Sequence, residues 1–280
     1  MNSSRRSVIA AIAGSALAPR ARSAGKTTAY GLIGDRYHNS DYIRTALNRT
    51  IQKDLGVSID FCDETKNLTA ETLRGYKMLI VFRDGMIWPD GYPDETTNAG
   101  WVEGGKVPLI SDPAVPEGAA KAQFWMKPEQ GKAVRQFVSN GGAALFLHNS
   151  THVGLTNADF RDVLGAAYAG HPPIRTFQVK VTNPNHPITQ GVRNFVVTDE
   201  QHYMDYDKDP KYVFLETVQV DGLDYHGRGP KSLGGWAYEY GKGRVCYMSP
   251  GHMISVLWNP EYVKLQHNAV RWLLRQTETA

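Results

Sequence analysis

Residues 141–152 read GGAALFLHNSTH. Two glycines come first, five apolar residues follow without a break, and a histidine closes the run. The run is short for a helix and too apolar for a half-exposed strand, so it predicts a strand buried on both faces. Just ahead, residues 127–140 put Pro128 in a first turn and set Ala133, Val134, Phe137 and Val138 inward, a helix that Gly141-Gly142 ends. The same alternation runs back toward the start. Residues 27–34 (TTAYGLIG) predict a first buried strand, and Asn39-Ser40 offer caps to a helix whose stripe is Ile43, Leu47, Ile51 and Leu55, ending near Gly56. Residues 57–61 predict a second strand, 69–73 a short helix, and 78–82 (MLIVF) a third strand. Buried strands alternating with helices mean an α/β fold, with a central parallel sheet flanked by helices on both faces.

Beyond residue 155 the texture changes. Residues 156–164 predict a short helix with Phe160, Val163 and Leu164 on one face and Gly165 as its stop. Strands are expected over 177–181 and 195–198, separated by the turn Asn183-Pro184-Asn185-His186-Pro187, then over 212–220, 234–240 and 244–248. A last helix starts with Asn259 as cap and Pro260 in its first turn, Trp258 stapling onto Val263, with Val263, Val270, Leu273 and Leu274 as its apolar face. These later strands predict a partly antiparallel extension of the sheet. Residues 83–125 are long and irregular, with five prolines and Trp88, Trp101 and Trp125. A segment of that kind reads as a lid whose indoles stack on a ligand, or as a loop that the same indoles pin down.

The chain has 280 residues and a formal charge of +3, but residues 1–23 hold four arginines and no acid. The remainder carries 27 basic and 28 acidic residues. Such a chain lacks the clustered cationic surface that nucleic acid requires. Arg5-Arg6, a modest apolar run to Leu17 and Ala21-Arg22-Ser23 have the order of a twin-arginine export signal, which predicts a periplasmic or secreted protein. No later run is apolar enough to span a membrane. Residues 24–280 suit one domain, the alternative being two split near residue 170. Two cysteines, Cys62 and Cys246, allow at most one internal disulfide, and each sits in or beside an apolar strand, where a buried free thiol is the simpler reading. Oligomeric state is left open, a homo-oligomer included.

In open parallel sheets the reactive site lies beyond the carboxyl ends of the strands. Those ends are residues 35–38, 83–88 and 148–152. They place Asp35, His38, Trp88 and His152 as substrate-binding candidates and His148 as base, acid or metal ligand. Ser249-Pro250-Gly251-His252 follows another buried strand and brings in His252. Asp199-Glu200-Gln201-His202-Tyr203, if extended, sends Glu200 and His202 to one face and Tyr203 to the other. His171 and His186 sit beside prolines in turns. His148, Glu200 and His252 are the catalytic candidates, with His38 expected to join them and His171, His202 and Tyr203 expected to bind substrate. Imidazoles with one carboxylate suit a divalent metal ion held by His148, Glu200 and His252, or metal-free acid–base chemistry.

Three segments resemble the ThuA-like family, named for trehalose utilisation. They are residues 141–148 (GGAALFLH), residues 185–191 (NHPITQG) leading to Asp199-Glu200-Gln201-His202-Tyr203, and residues 240–252 (YGKGRVCYMSPGH) with the closing Asn268-Ala269-Val270-Arg271-Trp272. Gly34-Asp35-Arg36-Tyr37-His38 adds a fourth, weaker one. The resemblance implies a flavodoxin-like fold of the class I glutamine amidotransferase type, with strand order 2-1-3-4-5 and no catalytic cysteine. Glutaminase chemistry is not expected, because no Gly-x-Cys-x-Gly or Gly-x-Ser-x-Gly is present. A carbohydrate ligand is implied, with sugars or 3-keto-glycosides as substrates of elimination, hydrolysis or isomerisation. A non-catalytic carbohydrate-binding protein on the same scaffold is the alternative.

Overall fold

A computed structural model describes residues 28–88 and 122–276. The export signal expected over residues 1–23 lies outside them, as do Trp101 and the rest of residues 89–121. Nine strands form one sheet. The first five in spatial order are β2 (Ile59–Cys62), β1 (Ala29–Ile33), β3 (Met78–Phe82), β6 (Ala143–Leu147) and β13 (Gly243–Met248), all parallel. This is the expected 2-1-3-4-5 arrangement of a flavodoxin-like sheet. Beyond β13 the sheet continues antiparallel through β12 (Lys231–Tyr240), β11 (Val213–Gln219), β8 (Arg175–Val181) and β9 (Phe195–Asp199).

The unbroken apolar runs of β1, β3 and β6 follow from burial of both faces. Met78, Ile80 and Phe82 point into one core with Leu145 and Leu147, while Leu79 and Val81 enter the other with Phe146. Helices α1 (Ser40–Leu47) and α6 (Pro260–Leu273) cover the first face. Helices α3 (Pro128–Ser139) and α4 (Ala158–Leu164) cover the second. Asn39 caps α1 and Asn259 caps α6 through their side-chain oxygens, and Gly165 ends α4 at φ 89°. The buried face of α6 runs through Tyr262, Leu265, Ala269, Val270 and Leu273, with Val263 only half-buried.

Three features were not foreseen. The first helix does not run straight to Leu55, because residues Asn48–Lys53 widen into a π-turn, where the Thr50 hydroxyl bonds Gln266 Oε1 at 2.8 Å. Separately, the two-residue strands β4 (Met86–Ile87) and β5 (Gln123–Phe124) pair with each other, and β7 (Ala166–Gly170) and β10 (Tyr203–Tyr206) pair as an antiparallel ribbon outside the main sheet.

Candidate active site

The carboxyl ends of β1, β3, β6 and β13 open onto one cleft of about 410 Å³, a size that suits a small organic ligand. His38, Asp84, His152, Tyr168, His171, Glu200, His202 and His252 are among the residues that line it. Of the sequence candidates, Asp35, Trp88, Tyr203 and His148 do not line it; His148 is fully buried behind Glu200. Asp35 lies behind His38, which it binds. Trp88 stands beside Tyr37 and under the Arg36 guanidinium. Tyr203 is directed elsewhere: its hydroxyl donates to Gly229 O at 2.9 Å, with Gln201 Oε1 a second acceptor within reach at 3.2 Å.

His148 sits where the chain turns out of β6, and it takes a left-handed backbone, φ 46°. That conformation costs a non-glycine residue about 1–2 kcal/mol. Two bonds hold it there. Tyr247 Oη donates to His148 O at 2.7 Å, and His148 Nδ1–H donates to Ser249 O at 2.8 Å. The second bond fixes the tautomer, so the buried Nε2 is a bare lone pair, without a hydrogen-bond partner among the described residues. Nε2 lies 3.4 Å from Glu200 Oε2.

Glu200 and His202 do meet, but not on one extended strand. Strand β9 stops at Asp199, whose buried carboxylate accepts the backbone N–H groups of Gly251, His252 and Met253 at 2.7–3.3 Å. Gln201 anchors the next step by donating to Thr217 O and Pro230 O. The chain therefore leaves the sheet between these two anchors and carries Glu200 over the rim. Glu200 Oε2 is then 3.2 Å from His252 Nδ1, 3.3 Å from His202 Nε2 and 3.7 Å from His171 Nε2. Burial opposes its charge, but the surrounding imidazoles of His148, His202 and His252 hold its carboxyl far below the usual range.

His171 belongs to this ring despite its turn location, since Nδ1–H donates to Pro172 O at 2.7 Å and leaves Nε2 facing Glu200. His38 repeats the pattern with a carboxylate: its Nδ1 is 2.8 Å from Asp35 Oδ1, and its Nε2 is 3.0 Å from His252 Nδ1. Burial pushes the His38 and His202 imidazoles toward the neutral form, while His252 is raised, Glu200 outweighing its burial. His152 Nδ1 accepts the Gly85 N–H at 3.2 Å, so its proton sits on Nε2, and burial keeps the ring neutral. His186 is structural: Nδ1 accepts the Ile188 N–H, the ring stacks on Phe214, and burial lowers its pKa to about 4.

Two donor sets share Glu200. His38, His148, Glu200 and His252 offer ligand atoms within 4.8 Å of one another, and so do His171, Glu200 and His202. In His38, His148 and His171 the far ring nitrogen is tied to a carboxylate or carbonyl, the outer arrangement that metal-binding imidazoles use. Sequence reasoning missed Asp84, Asn149 and Tyr168. Asn149 follows His148 directly and donates to Asp35 Oδ2 at 2.7 Å. Asp84 was within the strand end singled out above, but nothing in its neighbours marked it. Tyr168 lies on a ribbon that was not foreseen. Trp125 is buried and donates from Nε1 to Asp84 O at 2.6 Å. Cys62 and Cys246 are free thiols on β2 and β13.

The fold is flavodoxin-like, of the kind class I glutamine amidotransferases share, with His148 at the turn out of the central strand β6. Residues 119–273, more than half of the chain, match the family described as ThuA, trehalose utilisation, and the chain belongs to that family. No curated protein matches the sequence. A ThuA-like protein of Bacteroides uniformis superposes with a TM-score of 0.58 at 16% identity, covering 88% of this chain and 89% of that one. A ThuA-like protein of Parabacteroides merdae does so with a TM-score of 0.59 at 12% identity, covering 90% and 91%. At these identities the likeness is one of fold.

Proposed function

We propose that this protein is a carbohydrate-processing enzyme that acts on a sugar or 3-keto-glycoside in the cleft of His148, Glu200 and His252, and that it works in the periplasm after export. The observation that carries the reading is the Glu200 carboxylate ringed by four imidazoles, of which His148 and His171 are held by their Nδ1 bonds with Nε2 facing it. Lone pairs converging on a carboxylate need a cation between them. His38, His148, His252 and Glu200 would hold a divalent ion, which when bound supplies a Lewis acid for a sugar carbonyl. The family's link to trehalose utilisation supports a sugar ligand.

The chain's own residues do the rest. Tyr37 and Met86 form an apolar edge of the cleft against which a sugar face can lie. His152 presents Nε2–H as a neutral donor to a hydroxyl. A neutral imidazole such as His202 can take the proton next to a ketone, which acidifies that C–H. No Cys or Ser nucleophile is required.

The test is a screen of the purified protein against 3-keto-glycosides, with and without chelator, beside His148→Ala, Glu200→Ala and His252→Ala. We expect bound divalent metal in the wild type by elemental analysis. The variants should lose both the metal and about 100-fold or more in turnover while keeping the wild-type circular dichroism spectrum. Sugar binding that survives all three changes, with no turnover of any keto-glycoside, would instead assign the fold to a carbohydrate-binding protein.

A further inference from the structure

We propose that Asp84 is the acid that protonates the departing oxygen in this cleft, a role that rests on the keto-glycoside reading above. Asp84 lies two residues beyond the end of β3 and is held at three points. Its N–H donates to Asp35 Oδ2 at 3.0 Å, its carbonyl accepts from Trp125 Nε1, and its Oδ1 accepts the Met86 N–H at 2.9 Å. Among the described residues Oδ2 makes no hydrogen bond, and Asp84 lines the same cleft as Glu200 and His252. A fixed carboxyl with one open oxygen on a ligand-sized cleft is placed to touch a substrate.

Asp35 and Asp84 are neighbouring carboxyls in opposite surroundings. Asp35 is buried, but it accepts bonds from His38, Asn149 and the N–H groups of Tyr37, His38 and Asp84, which hold it ionised below the usual range. Asp84 has one N–H bond. Burial and the Asp35 charge raise its pKa to about 7, with the Met86 N–H and Arg83 pulling the other way. The Arg83 guanidinium is engaged with Gly34 O and Asp63 O. The other titratable groups on the cleft are Tyr37, His38, His152, Tyr168, His171, Glu200, His202 and His252, and burial raises the Tyr168 hydroxyl well above neutrality. Glu200 is an anion, and the Nδ1 protons of His38, His148 and His171 are bound to acceptors. That leaves Asp84 as the carboxylic acid available near neutral pH, and carboxyls whose environments push their pKa values apart are the mark of an acid–base division.

The step balances. A cleft imidazole takes the C2 proton, the C2–H electron pair becomes the enolate of the 3-ketone, and that pair then forms the C1–C2 double bond. The C1–O bond breaks with its electrons on the glycosidic oxygen, which takes the Asp84 proton. The products are an unsaturated keto sugar and an alcohol. Asp84 regains a proton from solvent and the imidazole returns one.

Leaving-group dependence tests the assignment on the metal-loaded enzyme, with methyl and p-nitrophenyl 3-keto-glucosides as substrates. Asp84→Asn should lose about 100-fold or more in kcat on the methyl glycoside, whose alkoxide needs a proton. It should lose only a few-fold on the p-nitrophenyl glycoside, whose anion leaves unaided, and Asp84→Glu should recover part of the methyl activity. A purely structural role would slow both substrates alike, and that result overturns the proposal. Infrared difference spectra give a second arm that needs no turnover. A protonated carboxyl band should be present at pH 6, fade as pH passes about 7 and be missing in Asp84→Asn. If the wild type turns over neither glycoside, the substrate reading fails. The band then decides Asp84 alone, and its absence overturns the assignment.

Discussion

At the scale of single residues, the cleft is built from groups placed against their own preferences. His148 adopts a left-handed backbone that Tyr247 and Ser249 hold in place, and Asp84 keeps a carboxyl where its proton is favoured. The second has a measurable consequence. The Asp84 pKa rises from 3.8 in the unfolded chain to about 7 in the folded one, so between these values the folded chain holds the proton and the unfolded chain does not. The stabilisation linked to that proton is complete at acid pH and is lost as pH rises through about 7. Asp84→Asn keeps an oxygen for the Met86 N–H and removes the titration. Calorimetry should therefore find the variant melting above the wild type at about pH 8, with the gap shrinking toward about pH 5. A gap independent of pH would mean that the carboxyl titrates normally.

At the scale of elements, the ribbon of β7 and β10 supplies what the main sheet cannot. The sheet's own strand ends bring His38, Asp84, His148 and His252 to the rim, whereas β7 carries Tyr168 and delivers His171 to the far side of Glu200. The turn after β6 presses on this ribbon. A Cβ added at Gly154 would lie 2.6 Å from Ala166 O, a backbone atom that cannot swing aside. Gly154→Ala should therefore cost about 1–3 kcal/mol in urea unfolding. It should also weaken divalent-metal binding by shifting His171, while the Ala substitution at exposed Gly191, where a Cβ meets nothing within 4 Å, leaves metal binding unchanged. Equal metal affinity in the wild type and Gly154→Ala would detach the ribbon from the ion site.

At the scale of the whole molecule, all the positive excess resides in residues 1–23, and the rest of the chain is close to neutral. Our reading of that leader as a twin-arginine signal predicts a mature N-terminus near Ala24 in the periplasmic fraction by mass spectrometry. Arg5→Lys together with Arg6→Lys should leave precursor in the cytoplasm. Export undiminished by the double change would remove the twin-arginine assignment. No helix among the described residues is long and apolar enough to cross a membrane.

The sequence by itself determined the parallel half of the sheet. Runs such as MLIVF and AALFL are apolar on both alternating faces, which only a strand covered by helices on both sides tolerates, and Pro128, Asn259 and Gly165 mark helix ends by local chemistry. It also pointed to His38, His148 and His252, because a strand end is a local feature and the rim is shared by topology. The ribbon was hidden: AAYAG has little β-branching and is half-buried, so neither propensity nor alternation marks it. Tyr203 was misjudged because Gly229, its hydroxyl's partner, lies 26 residues away. Glu200 meets His148 across 52 residues of chain only because Asp199 and Gln201 find remote partners that bend the backbone out of the sheet. Asp84 titrates near neutrality because the folded chain buries it and packs Asp35, 49 residues upstream, against its backbone. Charge, burial and lone-pair direction at a site are sums over neighbours that are distant in sequence, and those sums exist only once the chain is folded.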